Sequence, residues 1–591
     1  MLTIIESIKS IMEESFEKAG YDKKYGFVSV SNRPDLCQYQ CNGAMAAAKE
    51  YKKAPIAIAN DVLEAVGDNE AFKSIEAVNP GFININLSEK FILSFISEMS
   101  TEEKFGINLP KQGKKVVIDY GGPNVAKSLH VGHLRSAVIG ESVKRILRYM
   151  GDDIVGDVHL GDWGLQIGLV ITELSKRKPD LPYFDDNFEG EYPKEAPFTI
   201  EELCEIYPYA SGYSKEHEDY LLEAQENTAK FQNGDPGFKA IWNHILDVSI
   251  ADLKKNYDKL NVEFDIWNKE SDVQPLIPKM IDDMKNKGLL HESEGALVVD
   301  VAEESDKKEI PPCIVVKSNG ATLYATTDLA TIVDRKQQFN PDEIIYVVDK
   351  RQSMYFTQVF RTAKKSGLVD EDTNLVFIGF GTMNGKDGKP FKTRDGGVLR
   401  LQDLREDVTA EVLAKIKENR DYSDEEGTQI AEKVGVAAIK YGDLSNQASK
   451  DYIFDISRFT SFEGNTGPYI LYTIVRIKSL LAKYQEEGGI VDEKNTTALL
   501  PADSDSEIKL QLSLLKFGEV MQSAYEEKAP HKICQFIYEL SDSFNHFYHE
   551  NKILGNDDEN RKKSYIQLLI LVKRVLEQCI DLLGFDAPER M

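Results

Sequence analysis

The stretch KVVIDYGGPNVAKSLHVGHLRSAVIGESVKRILRYM, residues 115–150, decides the fold class of the central part of the chain. Its first six residues form a short apolar run, which is typical of a buried parallel strand. A Gly/Pro turn follows, and the apolar spacing from about Gly132 to Met150 then predicts a helix that ends at Gly151. A second strand candidate at 154–160 and a helix from about Gly164 continue the pattern.

The same alternation returns further along the chain. Residues 344–348 predict a strand, 353–365 a helix and 375–379 another strand. Strands that alternate with helices predict a Rossmann-like, doubly wound parallel sheet, here over residues 111–441. Within this range, about 176–322 is expected to be an insertion, acidic and rich in Pro and Tyr at first, then helical, then strand-like.

The two flanking parts differ in texture from the centre. Residues 1–110 mix helical stretches with a strand-like run at 81–86, which predicts an α+β domain. Residues 442–591 show helical apolar spacing almost throughout, which predicts a helical bundle. The expected fold class is therefore multidomain, α/β plus all-α, with three domains.

Composition excludes several classes of protein. Of the 591 residues, 42% are hydrophobic and 29% charged, which excludes wholesale disorder and collagen-like sequence. No apolar run reaches the ~18 residues of a membrane span, and the first residues lack the layout of a signal peptide. Six scattered cysteines predict neither a disulfide framework nor a structural zinc site. We therefore expect a cytoplasmic protein that does not associate with membranes.

The net charge of −27 argues at first against a nucleic-acid partner, because Lys and Arg drive binding to phosphates. The 71 basic residues can nevertheless form local patches on an acidic surface. Within the last 150 residues, such patches are expected at 561–563 and 573–574. The excess of acidic side chains is then expected to limit non-specific binding of RNA.

Residues 119–133 carry the first candidate site. A strand end, a glycine-rich loop and a helix N-terminus present backbone N–H groups that suit a phosphate. Gly132 would let a nucleotide approach the backbone, and His130 and His133 can donate hydrogen bonds to a phosphate. Two alternatives remain open from the residues alone: the histidines cap the helix, or they bind a metal, for which no third ligand lies nearby in sequence.

Three further segments carry candidate chemistry. Residues 159–166, HLGDWGLQ, follow a predicted strand, where doubly wound sheets bind ligands, although they also suit a turn that packs Trp163. Tyr324 and Asp328 would share one helix face, as substrate contacts or as a surface cap pair. Residues 385–397 combine glycines with three lysines and an arginine, which suits either a cationic clamp for departing pyrophosphate or a solvated hairpin.

Residues 130–133, HVGH, resemble the HIGH motif of class I aminoacyl-tRNA synthetases, and 119–136 as a whole is similar to the arginyl-tRNA synthetase version. Residues 159–166 resemble the H-x-G-D-W-G run of the same family. Residues 385–397 stand where the family has its KMSKS loop, in a degenerate form that keeps Lys389 and Lys392. In the family such departures accompany a lysine just before HIGH, where Lys127 stands. The resemblance spans nearly the full chain and is weakest in the insertion.

The resemblance implies roles for individual residues. The implied catalytic residues are His130, His133, Lys127 and Lys392. ATP is implied to contact Gly132, His130, His133, Lys389 and Lys392. The implied arginine contacts are Asp119, Asn124, His159, Tyr324, Asp328 and Gln352. A pocket of carboxylates and neutral acceptors suits the planar, five-donor guanidinium of arginine.

The implied activity is that of an arginine–tRNA ligase, which forms AMP and pyrophosphate. Arginine would react with ATP to give arginyl-adenylate, and the arginyl group would pass to the 2′-hydroxyl of the terminal adenosine of tRNA. Mg²⁺ is expected to accompany ATP, with no structural metal bound by the protein. Family members commonly require tRNA even for the first step. The partners implied are L-arginine, ATP and the tRNA for arginine, without DNA, and the oligomeric state implied is a monomer.

The resemblance also assigns the flanking domains. Residues 442–591 resemble the helical anticodon-binding domain of the family, and 1–110 resemble its additional N-terminal tRNA-binding domain. Two alternatives for the activity remain. One is a class I synthetase of another specificity, such as glutamyl or cysteinyl, and the other is a catalytically silent relative that binds tRNA.

Overall fold

The computed structural model describes residues 3–389, 399–419, 422–492 and 498–591. The N-terminal part contains α1 (Ile4–Lys18), β1 (Val28–Val30), β2 (Tyr39–Cys41), α2 (Gly43–Tyr51), α3 (Pro55–Val66), β3 (Phe72–Val78), β4 (Phe82–Leu87) and α4 (Glu89–Thr101). Its four strands form an antiparallel sheet in the order β1-β2-β4-β3, against which helices pack. The α+β domain predicted from the sequence has this architecture.

A parallel sheet forms the centre of the molecule. Its strands are β5 (Lys115–Asp119), β6 (Asp153–Leu160), β7 (Ile266–Lys269), β11 (Glu343–Asp349) and β12 (Asn374–Phe380). They lie in the order β12-β11-β5-β6-β7, and every neighbouring pair is parallel. The helices between these strands include α5 (Val131–Tyr149), α6 (Leu165–Arg177), α11 (Tyr324–Phe339) and α12 (Ser353–Lys365). This is the doubly wound arrangement that the alternating pattern predicts.

The predicted insertion contributes more to the sheet than expected. Strand β7 lies inside it and forms one edge of the parallel sheet. All four of its residues are only half-buried, so the strand lacks the long apolar run by which the other strands were predicted. The remaining elements of this region are α7 (Ile200–Tyr213), α8 (Glu218–Gln232), α9 (Pro236–Asp258), α10 (Ile277–Asn286), β8 (His291–Ser293), β9 (Ala296–Val299) and β10 (Cys313–Val316).

The C-terminal part is helical, apart from a two-residue strand that pairs with β13 (Met383–Asn384). Its elements are α13 (Leu401–Asn419), α14 (Asp424–Leu444), β14 (Tyr452–Ile453), α15 (Ile456–Phe459), α16 (Gly467–Glu486), α17 (Asp505–Leu515), α18 (Phe517–Glu527), α19 (Pro530–Glu550) and α20 (Glu559–Leu582). Helix α14 passes through residue 441, so the domain boundary expected there falls inside a helix. Within the described ranges, no helix has the length and apolar character needed to cross a membrane.

Polar contacts join the helical part to the central helix α5. Ser142 donates to the carbonyl of Leu582 at 2.9 Å, and Arg145 pairs with Asp581 at 3.1 Å. Short 3₁₀ helices occur at Lys23–Tyr25, Glu103–Gly106, Pro182–Phe184, Gln274–Leu276 and Lys350–Gln352. The chain order reverses across the sheet between β5 and β11, which is where open α/β sheets bind ligands, beyond the carboxyl ends of the strands.

Candidate active site

A cavity of about 730 Å³ opens at this reversal point of the sheet. Nine residues singled out in the sequence line it: Asp119, Asn124, His130, Gly132, His133, His159, Tyr324, Asp328 and Gln352. They come from the ends of β5, β6 and β11 and from the first turns of α5 and α11. The fold therefore brings together side chains that lie up to 233 residues apart in the sequence, from Asp119 to Gln352 (352 − 119).

None of the three lysines predicted to contact pyrophosphate is among the described residues that line the cavity. Lys127 does not line the cavity in the described part of the chain; its Nζ lies 5.2 Å from the ring centre of Tyr207, on insertion helix α7. Lys389 is exposed, and its backbone N–H donates to Asp387 at 3.1 Å. Lys392 lies outside the described residues.

His130 and His133 cap the start of α5 reciprocally. Nδ1 of His130 accepts from the backbone N–H of Gly132 at 3.0 Å, and Nδ1 of His133 accepts from the N–H of His130 at 3.3 Å. The two histidines therefore do cap the helix, as one of the alternatives from the sequence proposed. Since both Nδ1 atoms accept, each neutral ring carries its proton on Nε2. A Cβ at position 132 would lie 2.7 Å from the His130 ring, so this close packing requires glycine.

Both histidines are held in the neutral form. Burial, the neighbouring His130 and the positive charge of Lys127 lower the pKa of His133 to about 3. Burial and Lys127 also lower the pKa of His130. Their ring centres are 3.9 Å apart. At neutral pH the pair can therefore donate hydrogen bonds through Nε2–H without repelling the lysine that a phosphate would also need.

Metal binding is not favoured at this pair. In residues 3–389, 399–419, 422–492 and 498–591, no three His, Cys, Asp or Glu side chains converge in a way that could hold a metal ion.

Carboxyl side chains also line the cavity. Burial and, to a smaller extent, the nearby charge of Asp119 raise the pKa of Asp328 to about 6. The hydroxyl of Tyr355 donates to Oδ2 of Asp328 and partly offsets this rise. Burial, together with the charges of Asp162 and Asp328, raises the pKa of Glu270 to about 7. Carboxyl groups with raised pKa values in a cavity suit a cationic ligand, which would restore their ionised form.

Glu270 lines the cavity but was not predicted from the sequence. It follows β7 directly, as His159 lies near the end of β6, so its position obeys the same rule of strand ends. Recognition of β7 as a strand of the central sheet would have identified it.

Asp119 is held by an internal arginine that was also missed. Arg335 of α11 is fully buried, and its Nη2 donates at 2.6 Å both to Asp119 and to Asp157 of β6. Its guanidinium carbon also lies 5.2 Å from the ring centre of Tyr346. The single positive charge of this arginine bridges two carboxylates, of which Asp119 still lines the cavity.

His159 packs beside this cluster. Its Nε2 lies 3.3 Å from the hydroxyl of Thr331, and its Nδ1 lies 4.0 Å from Asp157. Burial lowers the pKa of His159, so the ring stays neutral. Trp163, by contrast, packs edge-on against Phe231, which fits the turn alternative for that residue.

Comparisons with known proteins agree with this geometry. Residues 96–456 match the model of "tRNA synthetases class I (R), catalytic domain". The chain belongs to the arginyl-tRNA synthetase family. Residues 3–87 match the "Arginyl tRNA synthetase N terminal domain" and 470–591 the "DALR anticodon binding domain". As a member of this family, the chain is a class I synthetase and thus a ligase.

Curated relatives align along the whole chain. Arginine–tRNA ligases of Agathobacter rectalis and Alkaliphilus oremlandii are 58% and 55% identical to it, with 100% of each chain covered. The arginyl-tRNA synthetase structure from Plasmodium falciparum superposes with a TM-score of 0.81 at 27% identity, and that from Thermus thermophilus with 0.77 at 22%, each covering 100% of both chains. The predicted family and fold class are confirmed. The arginine-specific model argues against glutamyl or cysteinyl specificity.

Proposed function

We propose that this arginyl-tRNA synthetase activates L-arginine in the 730 Å³ cavity and then transfers it to tRNA. The arginine carboxylate attacks the α-phosphate of ATP, which gives arginyl-adenylate and releases pyrophosphate. The 2′-hydroxyl of the terminal adenosine then accepts the arginyl group and AMP leaves. Since no covalent enzyme intermediate is required, catalysis rests on positioning and on stabilisation of charge.

The observation that carries the proposal is the polarity of the cavity. Two carboxyls with raised pKa values, Asp328 and Glu270, line the same cavity as a pair of neutral histidines, His130 and His133. The acidic side suits the guanidinium of arginine, and the histidine side suits the phosphates of ATP. A ligand with a cation at one end and a mixed anhydride of phosphate at the other, as in arginyl-adenylate, matches both sides.

On the arginine side, Asp328 and Glu270 accept hydrogen bonds from the guanidinium. The neutral groups of Tyr324, Gln352 and Asn124 complete the pocket, as the family resemblance implies, and Asp119 and His159 assist. Lysine or citrulline would leave some of these polar groups unpaired. Discrimination therefore needs no separate editing site.

On the ATP side, His130 and His133 donate Nε2–H to phosphate oxygens at the start of α5. The positive end of the helix dipole of α5 adds to the attraction for phosphate at this position. Gly132 leaves room for the nucleotide, since its position has no side chain. All three residues contact ATP in this assignment.

The pyrophosphate clamp is divided between Lys127 and the loop that carries Lys389 and Lys392. Burial lowers the pKa of Lys127, and its ammonium faces the ring of Tyr207. A phosphate would therefore gain a partly desolvated cation at this position. Mg²⁺ would enter the site together with ATP, bound to the phosphates of the nucleotide.

For tRNA, the two basic patches expected from the sequence are engaged within the protein. Arg561 pairs with Asp503 at 3.0 Å, and Arg574 donates to the carbonyl of Ser100 at 2.8 Å. A different surface is better suited: a cavity of about 550 Å³ in the helical part whose lining includes Tyr469, Tyr472, Arg476, His549 and Met591. Aromatic and cationic side chains of this kind stack on single-stranded bases, so we assign the anticodon to this cavity.

The remaining assignments concern the protein in the cell. We propose a cytoplasmic monomer whose domains span about 1–110, 111–441 and 442–591, and whose partners include neither DNA nor membranes. Light scattering of the purified protein with size-exclusion chromatography tests the monomer, which a mass near 133 kDa, twice the 66.6 kDa of the chain, would contradict.

The substitution Asp328→Ala tests the proposed function directly. In ATP–pyrophosphate exchange with tRNA present, kcat/KM for arginine should fall about 100-fold, since a hydrogen bond to a charged group is lost, while KM for ATP stays the same. A matched substitution at an exposed acidic side chain, Asp424→Ala, should change neither. Equal losses for arginine and ATP would contradict the assigned pocket.

A further inference from the structure

The segment that leads out of β12 is paired along its length with the segment that leads into the helical part. We call residues 381–386 the stem, because the lysine-bearing loop follows it, and residues 448–455 the junction. The backbone bonds between them run from Gly381 N–H to Ala448 O at 2.9 Å, from Tyr452 N–H to Thr382 O at 3.1 Å and from Phe454 N–H to Asn384 O at 2.9 Å. The stem thus takes its direction from the junction.

Asp451 of the junction is the polar centre of this pairing. Its Oδ1 accepts from the backbone N–H of Thr382 at 2.7 Å, from the Thr382 hydroxyl at 3.2 Å and from Nζ of Lys350 at 2.8 Å. Thr382 lines the cavity, and Lys350 directly precedes Arg351, which also lines it. One carboxylate outside the cavity lining therefore fixes the chain beyond β12 and the chain beyond β11.

The close approach at this point depends on Gly381. A Cβ there would lie 2.5 Å from Oδ1 of Asp451 and 2.5 Å from the carbonyl of Lys450. Arg135 also joins the two segments here, because its Nη1 donates to Gly381 O at 2.8 Å and to Lys450 O at 2.9 Å. Arg135 is buried and belongs to α5, one turn after His130. Helix α5, the stem and the junction therefore meet at this place.

We propose that Asp451 is a positioning residue for the activation of arginine, which fixes Thr382 and Lys350 so that the lysine-bearing loop leaves the sheet beside the phosphates of ATP. The inference rests on the proposed function of the cavity and adds a residue that nothing in the signature motifs assigns. The donors of Lys350 and Thr382 lower the pKa of Asp451 to about 2, so the carboxylate is ionised at neutral pH. Its side chain is 46% exposed, so its substitution does not empty a core position.

The test uses the full chain with Asp451→Ala and Asp451→Asn, in ATP–pyrophosphate exchange with arginine and tRNA. A misplaced stem should lower kcat/KM for ATP roughly 10- to 100-fold in Asp451→Ala, with KM for arginine unchanged. Asp451→Asn keeps an acceptor for the Thr382 N–H and should lose less. Lys350→Met removes the ion pair and the 3.3 Å hydrogen bond to Ser449 O but keeps the contacts of Asp451 with Thr382, so it should also lose less. Asp370→Ala, another exposed aspartate paired with a lysine, should behave like the unaltered protein.

Two results would overturn the inference. One is a folded Asp451→Ala variant with the ATP kinetics of the Asp370→Ala control. The other is an equal loss for ATP and arginine in Asp451→Ala with a lowered melting temperature, which indicates a merely structural role. Failure of the proposed function is distinguished by His133→Ala, measured in parallel: if that variant keeps normal use of ATP, the assignment of the cavity itself is wrong.

Discussion

Nη2 of Arg335 donates to Oδ2 of Asp119 at 2.6 Å, so an arginine of the protein already occupies one acidic group of an arginine pocket. The same nitrogen also binds Asp157, which is fully buried. Asp119 therefore keeps only an assisting role in the proposed pocket, and the main carboxyls assigned to the substrate guanidinium are Asp328 and Glu270, whose pKa values are raised by burial. The internal pairing separates carboxylates that shape the site from those that bind arginine.

Substitution of Arg335 should destabilise the central sheet. Arg335→Met leaves Asp157 buried without its partner, so the free energy of unfolding should fall by about 3–5 kcal/mol. Arg335→Lys keeps the charge but loses the fork that reaches two carboxylates, and should cost less. Urea unfolding, monitored by hydrogen exchange of the backbone amides of β5 and β6, measures the change in the free energy of unfolding. An unaltered midpoint in Arg335→Met would contradict this account.

The use of arginine should depend on pH through the acidic side of the cavity. The pKa of Asp328 is about 6 and that of Glu270 about 7, both raised by burial. Below these values the carboxyls are protonated and bind a guanidinium weakly, so kcat/KM for arginine should rise between about pH 5 and 8 and level off above that range. Glu270→Gln should shift the rising part of this pH profile towards lower pH. A flat profile over this range would be incompatible with the assignment.

Tyr355 should tune the carboxyl that it contacts. Its hydroxyl donates to Asp328 and so stabilises the ionised form. Tyr355→Phe removes this donor, which should raise the pKa of Asp328 and lower kcat/KM for arginine about tenfold near pH 7. Raising the pH should recover part of the loss. The loss would have another origin if it were the same at every pH.

Lys127 should act on ATP rather than on arginine. Lys127→Ala removes a partly desolvated cation, so kcat for exchange should fall roughly 100-fold with KM for arginine unchanged. Lys389→Ala, in the loop, measures the share of the clamp that the loop supplies. Activity close to that of the unaltered protein in Lys127→Ala would assign the clamp to the loop alone.

Much of the site was predictable because its residues follow strand ends and helix starts. Asn124 lies in the loop after β5, and His130 and His133 lie at the start of α5, which follows that loop; the alternating pattern places this connection at the ligand edge of the sheet. Tyr324 and Asp328 open α11 in the same way. Local sequence was sufficient at these positions because the sheet topology fixes where such loops meet.

The residues that were missed depend on tertiary contacts. Glu270 follows β7, whose half-buried residues give no clear strand signal. Arg335 faces the protein interior, whereas an arginine in a helix pattern usually lies at the surface. Tyr355 of α12 contacts Asp328 of α11, so this pair forms only where the two helices meet in the fold. The basic patches at 561–563 and 573–574 stay predictions, and the pairing of Arg561, Lys562 and Arg574 with neighbouring acidic groups and carbonyls could not be read from charge alone.

The measurement that tests the central claim most directly is ATP–pyrophosphate exchange with each of the amino acids, with and without tRNA. The structure and family predict exchange that depends on arginine alone, and that is strongest or present only when tRNA is added. Absence of arginine-dependent exchange under both conditions, or equal exchange with another amino acid, would contradict the account.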